Sequence, residues 1–395
     1  MSEHFELPKQ GFVFWPVGTG DSTTIMVDKE TAVQVDLRHT AKSEEDDTLE
    51  WPLIDELVKA LPRRKDRPFL SVFVLTHPDQ DHIQGFKELL KQVDIGELWH
   101  TPRVFRDFEE NDTLCDDAIA FRNEAERRRK AIVKNPGNIQ SGDRLLIIGH
   151  DDILKEDKYV ALPASCKLTP GKSTSLLNGE DYSDLFAVFI HAPFSDDQAK
   201  DRNNTSLAMQ VALFSGRTKL EALLLGDRGY QTIKRIFETT EEHNNEEYLS
   251  WDILLAPHHC SKHVMYFQGE GEESASFKKD VVDYFEKFAK DGASIVASAK
   301  SEFTNKKGDN PPHQKAREKY EEIINSGKFL CTHEYPDKKN PKPMVFKLDA
   351  SGIGYPYNDQ KGYASNIITD ATAMARGKPV PPTEQVGFGY RYGNN

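Results

Sequence analysis

The chain has 395 residues, of which 37% are hydrophobic, 10% aromatic and 29% charged, with a formal net charge of −13. At roughly 150 residues per domain, that length holds either two or three domains or one large layered domain, and the composition excludes a disordered chain. The acidic balance argues against a generally basic nucleic-acid coat.

The opening MSEHFELPKQ has neither a basic stretch nor an apolar core, so no secretory leader is expected. Runs at 12–14, 23–27 and 32–37 read as a β-meander around the turn Gly18-Thr19-Gly20-Asp21-Ser22. Residues 51–61 carry Leu53, Ile54, Leu57, Val58 and Leu61 on one helical stripe. The apolar run at 69–75 marks a strand buried on both faces, and 83–93 returns to a helical period. Acidic residues Asp107, Glu109, Glu110, Asp112, Asp116 and Asp117 then lead into an expected helical insertion at about 103–135, with the basic end Arg127-Arg128-Arg129-Lys130. Strands are expected at 144–148, 185–191, 207–213, 220–225, 251–256, 294–298 and 344–348, and helices at 230–239, 277–290 and 313–326. No apolar run approaches the ~20 residues of a membrane span, so no membrane partner is expected.

Residues 366–395, with KPVPPTEQ and GFGYRYGNN, read as a Pro/Gly-rich tail following one domain at 1–365. The tail aromatics Phe388, Tyr390 and Tyr392 suit a protein partner or a covered core. Cys115, Cys166, Cys260 and Cys331 lie far apart without a CxxC, which excludes a cysteine zinc knuckle and a disulfide scaffold and points to a reducing cytoplasm. Strands outnumber the needs of a doubly wound nucleotide fold, and helices fall between pairs of them. The layout favours an α/β sandwich of two sheets with helices outside.

The sharpest chemical signal is Thr76-His77-Pro78-Asp79-Gln80-Asp81-His82, directly after the buried strand. Imidazole and carboxylate packed this tightly, between a strand end and a helix start, suit divalent ions such as Zn²⁺, Mn²⁺ or Fe²⁺. A lone Asp81 would read as a helix cap; two His and two Asp in six positions read as a metal loop. Two further strand ends carry ligand types, Asp227 after Leu223-Leu224-Leu225-Gly226 and His258-His259 after Ile253-Leu254-Leu255-Ala256-Pro257. Three such ends point to one rim of one sheet stack.

These motifs, THPDQDHIQG, LLLGD and LLAPHHCS, together resemble the metallo-β-lactamase-fold hydrolases. More narrowly they are similar to the soluble hydrolase domain of ComEC-type competence proteins, which carry H-x-D-x-D-H. The turn at 17–22, Asn203-Asn204-Thr205-Ser206-Leu207 and Asn310-Pro311-Pro312-His313 extend the likeness over about residues 11–350. The resemblance implies an αββα metallo-β-lactamase-like sandwich of two mixed sheets with outer helices, and two divalent metal ions, Zn²⁺ or Mn²⁺, on its rim. His77 and Asp79 would serve one ion, Asp81 and His82 the other, with Asp227 between them. His258 or His259 would complete the second ion's ligand set, with His258 preferred. The third imidazole of the family is missing, Asn204 standing in its place, which would leave the first ion oxygen-rich and favour Mn²⁺. Asp21 and His191 are expected beside the ligands.

Such a site implies a metal-held hydroxide oriented by Asp81, with His313 or His263 giving a proton to the leaving oxygen. The expected activity is a metal-dependent phosphodiesterase or nuclease acting on DNA. Arg127, Arg128, Arg129 and Lys130 are candidate phosphate contacts, although basic runs on charged helices are commonly solvated surface. The rivals are a hydrolase of a small phosphodiester or ester, and an interaction module that kept the fold but not turnover.

Overall fold

The computed structural model describes residues 5–39, 51–109, 114–197, 202–306, 308–324 and 326–358. Part of the acidic approach at 107–112 and the tail at 366–395 lie outside the described residues. Residues through Gly354 form one unit, and a second begins at Tyr355.

The apolar run at 69–75 forms the strand Arg67–Val74, buried from Pro68 onward. It occupies the middle of the first sheet, where a strand covered on both faces needs apolar side chains at every position. From edge to edge that sheet runs Gly352–Gly354, Met344–Asp349, Gly11–Phe14, Thr23–Met26, Ala32–Val35, Arg67–Val74, Asp94–His100, Arg144–Ile148 and Lys167–Leu168. The second sheet runs Lys328–Cys331, Ala289–Ala297, Trp251–Leu255, Thr218–Leu224, Ala208–Ser215, Phe186–Ala192 and Ser173–Thr174. Both are mixed. Hairpins make the antiparallel halves, and helical crossovers make the parallel halves, as at Ala32–Val35 beside Arg67–Val74 and Thr218–Leu224 beside Trp251–Leu255.

Helices cover the outer faces. Leu53 and Leu57 of Leu53–Ala60, Phe86 and Leu89 of Phe86–Gln92, and Phe121 of Asp116–Lys134 join Val13, Leu70 and Phe73 in one apolar core. Ile233 and Phe237 of Tyr230–Glu242, Val281 and Phe285 of Lys279–Phe288, and Tyr320 of Gln314–Glu322 join Leu223 and Leu254 in another. The alternate strand residues, Phe12, Phe14, Ile25, Val33 and Val211 among them, are equally buried between the sheets. The result is an αββα sandwich of two mixed sheets. Among the described residues, no helix is long and apolar enough to cross a membrane.

Two expectations change. The region near 103–135 is not an insertion: Asp116–Lys134 is the crossover between the parallel strands Asp94–His100 and Arg144–Ile148, and its apolar face is part of the outer core. The helix expected over 83–93 is split. Gln80–Ile83 ends at Gly85, whose φ of +97° breaks the helix, and Phe86–Gln92 follows.

His100 sits in this outer core against the edges of the Phe105 and Phe121 rings. Burial lowers its pKa to about 3, with the nearby Lys158 charge adding to the effect. The unfolded chain takes up this proton near pH 6.5 while the folded one resists it, so stability is present above that pH and lost as it falls toward 3. A His100→Leu chain should therefore lose less stability than wild type between pH 6.5 and 4.5, by about 1.4 kcal/mol per unit. Urea midpoints across that range check it, and parallel curves would refute the assignment.

Candidate metal centre

Strand register builds the rim. Val35 pairs with Val74 in parallel, so Asp36 and the Thr76–His77 segment leave the first sheet at the same edge. Phe14 and Val35 both pair with Thr23, which brings the turn containing Asp21 to that edge too. In the second sheet Leu224 is level with Leu255, so Asp227 and His258 each follow three residues beyond a matched pair. Leu255 is also level with Val296, and Lys300 follows four residues later.

At this rim Asp227 is the focus. It is buried, with His82 Nε2 3.3 Å from Oδ1 and His259 Nε2 3.3 Å from Oδ2. His77 Nε2 and His258 Nε2 each lie 3.8 Å from Oδ2. Asp79 Oδ2 is 3.9 Å from His77 Nε2, and Asp81 Oδ2 is 3.3 Å from His259 Nε2. All of His77, Asp79, Asp81, His82, Asp227, His258 and His259 thus meet in one small volume.

Two carboxylates behind the imidazoles fix their orientation. Asp36 Oδ2 lies 2.7 Å from His82 Nδ1, and the same carboxylate accepts the Thr76 N–H and Oγ–H. Asp21 Oδ1 lies 3.4 Å from His259 Nδ1. Asp36 holds the Nδ1–H tautomer of His82 and Asp21 faces His259 Nδ1, so both rings leave Nε2 toward Asp227, the arrangement usual for metal-ligating histidine. Asp21, His82, Asp227 and His259 each bring an atom within 4.8 Å of the others. Asp21 nevertheless approaches from the Nδ1 side, so it orients His259 where Asp81 faces the open side.

Close packing makes these contacts possible. The Asp21 N–H donates to the Asp81 carbonyl at 3.1 Å, and a Cβ on Gly20 would stand 2.6 Å from that same oxygen. Only glycine lets the turn approach the metal loop so closely.

Charge at the site is unbalanced in a telling way. Burial works against protonating His82 and His259, but Asp227, helped by Asp36 and Asp21, raises both well above the usual imidazole range. Burial likewise opposes ionising Asp227, and the His259 and His82 charges more than offset it. The cluster calls for positive charge, and protons meet that need when nothing else does. His77 Nε2 is buried with no hydrogen-bond partner, beyond bonding reach of Asp79 and Asp227 but within the span of two ligands sharing an ion. A bare nitrogen among carboxylates is what a divalent cation fits.

Other named residues lie elsewhere. His191 is buried, with Nε2 3.0 Å from the Tyr248 carbonyl and Nδ1 3.2 Å from Thr240 Oγ1. Asn204 Oδ1 accepts from the Gly229 N–H and the Thr232 hydroxyl. His313 Nδ1 accepts the Lys262 N–H at 3.2 Å, so Nε2–H donates to the Asp309 carbonyl, also at 3.2 Å. With both nitrogens engaged and its pKa lowered to about 4 by burial, His313 is a brace rather than a proton donor. His263 is exposed, its ring 6.0 Å from that of His313. The basic quartet is bonded within the chain. Arg127 pairs with Glu124 and Asp143, Arg129 and Lys130 with Glu126, and Arg128 is buried on the carbonyls of Ile95, Gly96 and Arg144.

A cleft of about 570 Å³ opens over the cluster, with Arg38, Gln80, Asp81, His258, His259 and Lys300 on its walls. Asp36, Arg38 and Lys300 escaped the sequence reading. Asp36 had a signal, a carboxylate ending an apolar run as Asp227 does; the two cations had none.

No protein-family model matches the chain, and no curated protein is significantly similar to it. Among solved structures it is similar to a class B3 di-zinc metallo-beta-lactamase from an Alaskan soil metagenome, at 13% identity and a TM-score of 0.30 over 73% of this chain and 92% of that one. A subclass B3 metallo-beta-lactamase of Bradyrhizobium japonicum gives 15%, 0.33, 72% and 90%. An archaeal metallo-beta-lactamase superfamily protein from Sulfolobus tokodaii gives 12%, 0.29, 80% and 97%. At such identities and scores an activity does not transfer.

Two outcomes test the cluster. Divalent ions should displace protons from His82 and His259, so affinity climbs with pH, and binding heats in buffers of different ionisation enthalpy report the release. Asp36→Asn, which frees the His82 ring, should weaken binding by about 10- to 100-fold. Unchanged affinity in calorimetry would remove Asp36 from the site.

Proposed function

We propose that this chain is a metal-dependent hydrolase that cuts phosphodiester bonds, with DNA as the substrate the sequence favours. The observation that carries this reading is the cleft, where Arg38 and Lys300 stand on the same walls as Asp81, His258 and His259. Cations beside a carboxylate-imidazole cluster suit an anionic substrate whose charge grows during reaction. Bound divalent ions acidify water and draw off charge developing on the phosphoryl oxygens.

The chain's own groups do the rest. Asp21 and Asp36 hold His259 and His82 so that Nε2 faces inward. Asp81, whose side chain is 35% exposed, is the carboxylate of the cluster that reaches the cleft and can orient an attacking water and accept its proton. Burial opposes its ionisation, and His259 and His82 outweigh that, so it stays a carboxylate across the neutral range. Arg38 and Lys300 position the phosphate.

A small phosphodiester is the second reading. The basic quartet that would have tracked a nucleic-acid backbone is tied to Glu124, Glu126 and main-chain carbonyls, and none of it lines the cleft.

Cleavage of labelled single-stranded DNA and of bis(p-nitrophenyl) phosphate, with Mn²⁺, Zn²⁺ or EDTA, decides between them. Asp81→Asn should lower kcat by about 10²-fold or more. Arg38→Gln with Lys300→Gln should raise KM about tenfold and leave kcat nearly unchanged, the mark of lost ground-state binding. Cutting that persists in EDTA, or that ignores Asp81→Asn, would sink the reading. Tight metal binding without cutting of either substrate would leave the interaction module.

A further inference from the structure

We infer that His258 and His259, adjacent in sequence, serve different ions, and that His258 supplies the imidazole that Asn204 does not. This rests on the rim being a metal centre and goes beyond it by assigning each ion its ligands.

The local backbone is the first observation. His258, His259 and Cys260 have φ of +49°, +52° and +64°, a left-handed run that non-glycine residues rarely adopt. It is held by main-chain bonds, from the His258 N–H to the Gly226 carbonyl at 3.1 Å and from the His313 N–H to the Cys260 carbonyl at 3.1 Å. His313 itself is pinned through both ring nitrogens. In an extended strand, neighbouring side chains would point to opposite faces. Here both rings stay at the rim, their centroids 6.1 Å apart and their planes at 83°.

The second observation is what each ring meets. His259 Nε2 lies 3.2 Å from His82 Nε2 and 3.3 Å from Asp81 Oδ2. Asp227 Oδ2 takes His259 Nε2 at 3.3 Å and both His258 Nε2 and His77 Nε2 at 3.8 Å, so His258 stands at the distance of His77 while His259 alone is within 3.3 Å of both Asp81 and Asp227. Asn204 is turned to the start of the Tyr230–Glu242 helix, its Oδ1 on the Gly229 N–H. Two ligand sets then share Asp227. His77, Asp79 and His258 form one, and Asp81, His82 and His259 the other.

The chemistry of the first set changes accordingly. Two imidazoles and a carboxylate beside the shared Asp227 suit Zn²⁺ as well as Mn²⁺, where a single imidazole would have favoured the harder ion. The left-handed turn is the device that delivers one histidine to each set.

Titration of the metal-free full chain with Co²⁺, followed by visible absorption, tests this independently of activity. Wild type should bind about two ions. His258→Gln should weaken one of them at least tenfold, and His77→Gln should weaken the same one, so that the double variant is no worse than His77→Gln alone. His258→Gln combined with His259→Gln should lose both ions. Circular dichroism and thermal melting of each variant confirm that the fold is kept. Two ions of unchanged affinity in His258→Gln would overturn the assignment, as would loss of the same ion from His258→Gln and His259→Gln. A wild-type chain that binds no Co²⁺ would overturn the metal centre and this division with it.

Discussion

Asp227 is 3% exposed, and imidazole nitrogens of His77, His82, His258 and His259 lie within 3.8 Å of its carboxylate. A carboxylate so buried must have positive charge beside it or lose its own. His82 and His259 answer that demand with protons, while burial keeps His77 and His258 neutral; Asp36 bonds to His82 Nδ1 and Asp21 faces His259 Nδ1. The Nε2 side is left for whatever stronger positive charge arrives. The rim is therefore organised around one constraint, the stabilisation of a carboxylate taken out of water, and a divalent cation satisfies it with fewer groups than protons do.

The fold brings the pieces together because parallel strands end at a common edge. Ala32–Val35 and Arg67–Val74 deliver Asp36 and His77, while Thr218–Leu224 and Trp251–Leu255 deliver Asp227 and the two histidines. The sheets are bonded across the rim as well as packed through it. The Ser298 hydroxyl donates to the Gly20 carbonyl at 2.5 Å, and the Leu207 N–H to the Thr76 carbonyl at 3.0 Å. A shift of one sheet against the other would pull His259 from Asp21 and Asp227 from His82. The polar contacts of the site thus fix the sandwich in register, as its apolar layers alone would not.

Much of this was legible in the sequence, for a physical reason. Apolar runs ending in Asp or His announce both a buried strand and a polar rim, and the runs before Thr76, Asp227 and His258 each did so. Two strands hid. Asp94–His100 carries Asp94, Glu97 and His100 through its length, which breaks the apolar signal even though all but its first residue is buried. Its Glu97 is accommodated only in three dimensions, by the Asn178 N–H at 2.8 Å and by the Arg128 and Arg144 charges. Lys328–Cys331 is too short to show a period. Asp36 hid differently. It ends an apolar run as Asp227 does, but its role depends on His82, a partner 46 residues away that strand pairing supplies.

The basic quartet teaches the converse. Arg127 to Lys130 looks like a patch in one dimension, yet a helix places Glu124 and Glu126 three and four residues away from these cations, and the pairs close locally. Arg38 and Lys300 are far apart in the chain and meet at one cleft, where the Arg38 guanidinium also donates to the Thr19 carbonyl. The net charge of −13 does not weigh against them. At physiological salt the Debye length is about 8 Å, so acidic residues across the surface are screened from a substrate already inside the cleft. Under the proposed function, what such a substrate meets is the near field, Arg38 and Lys300 beside Asp81 and Glu302, and bound divalent cations would be what tips that field toward an anion.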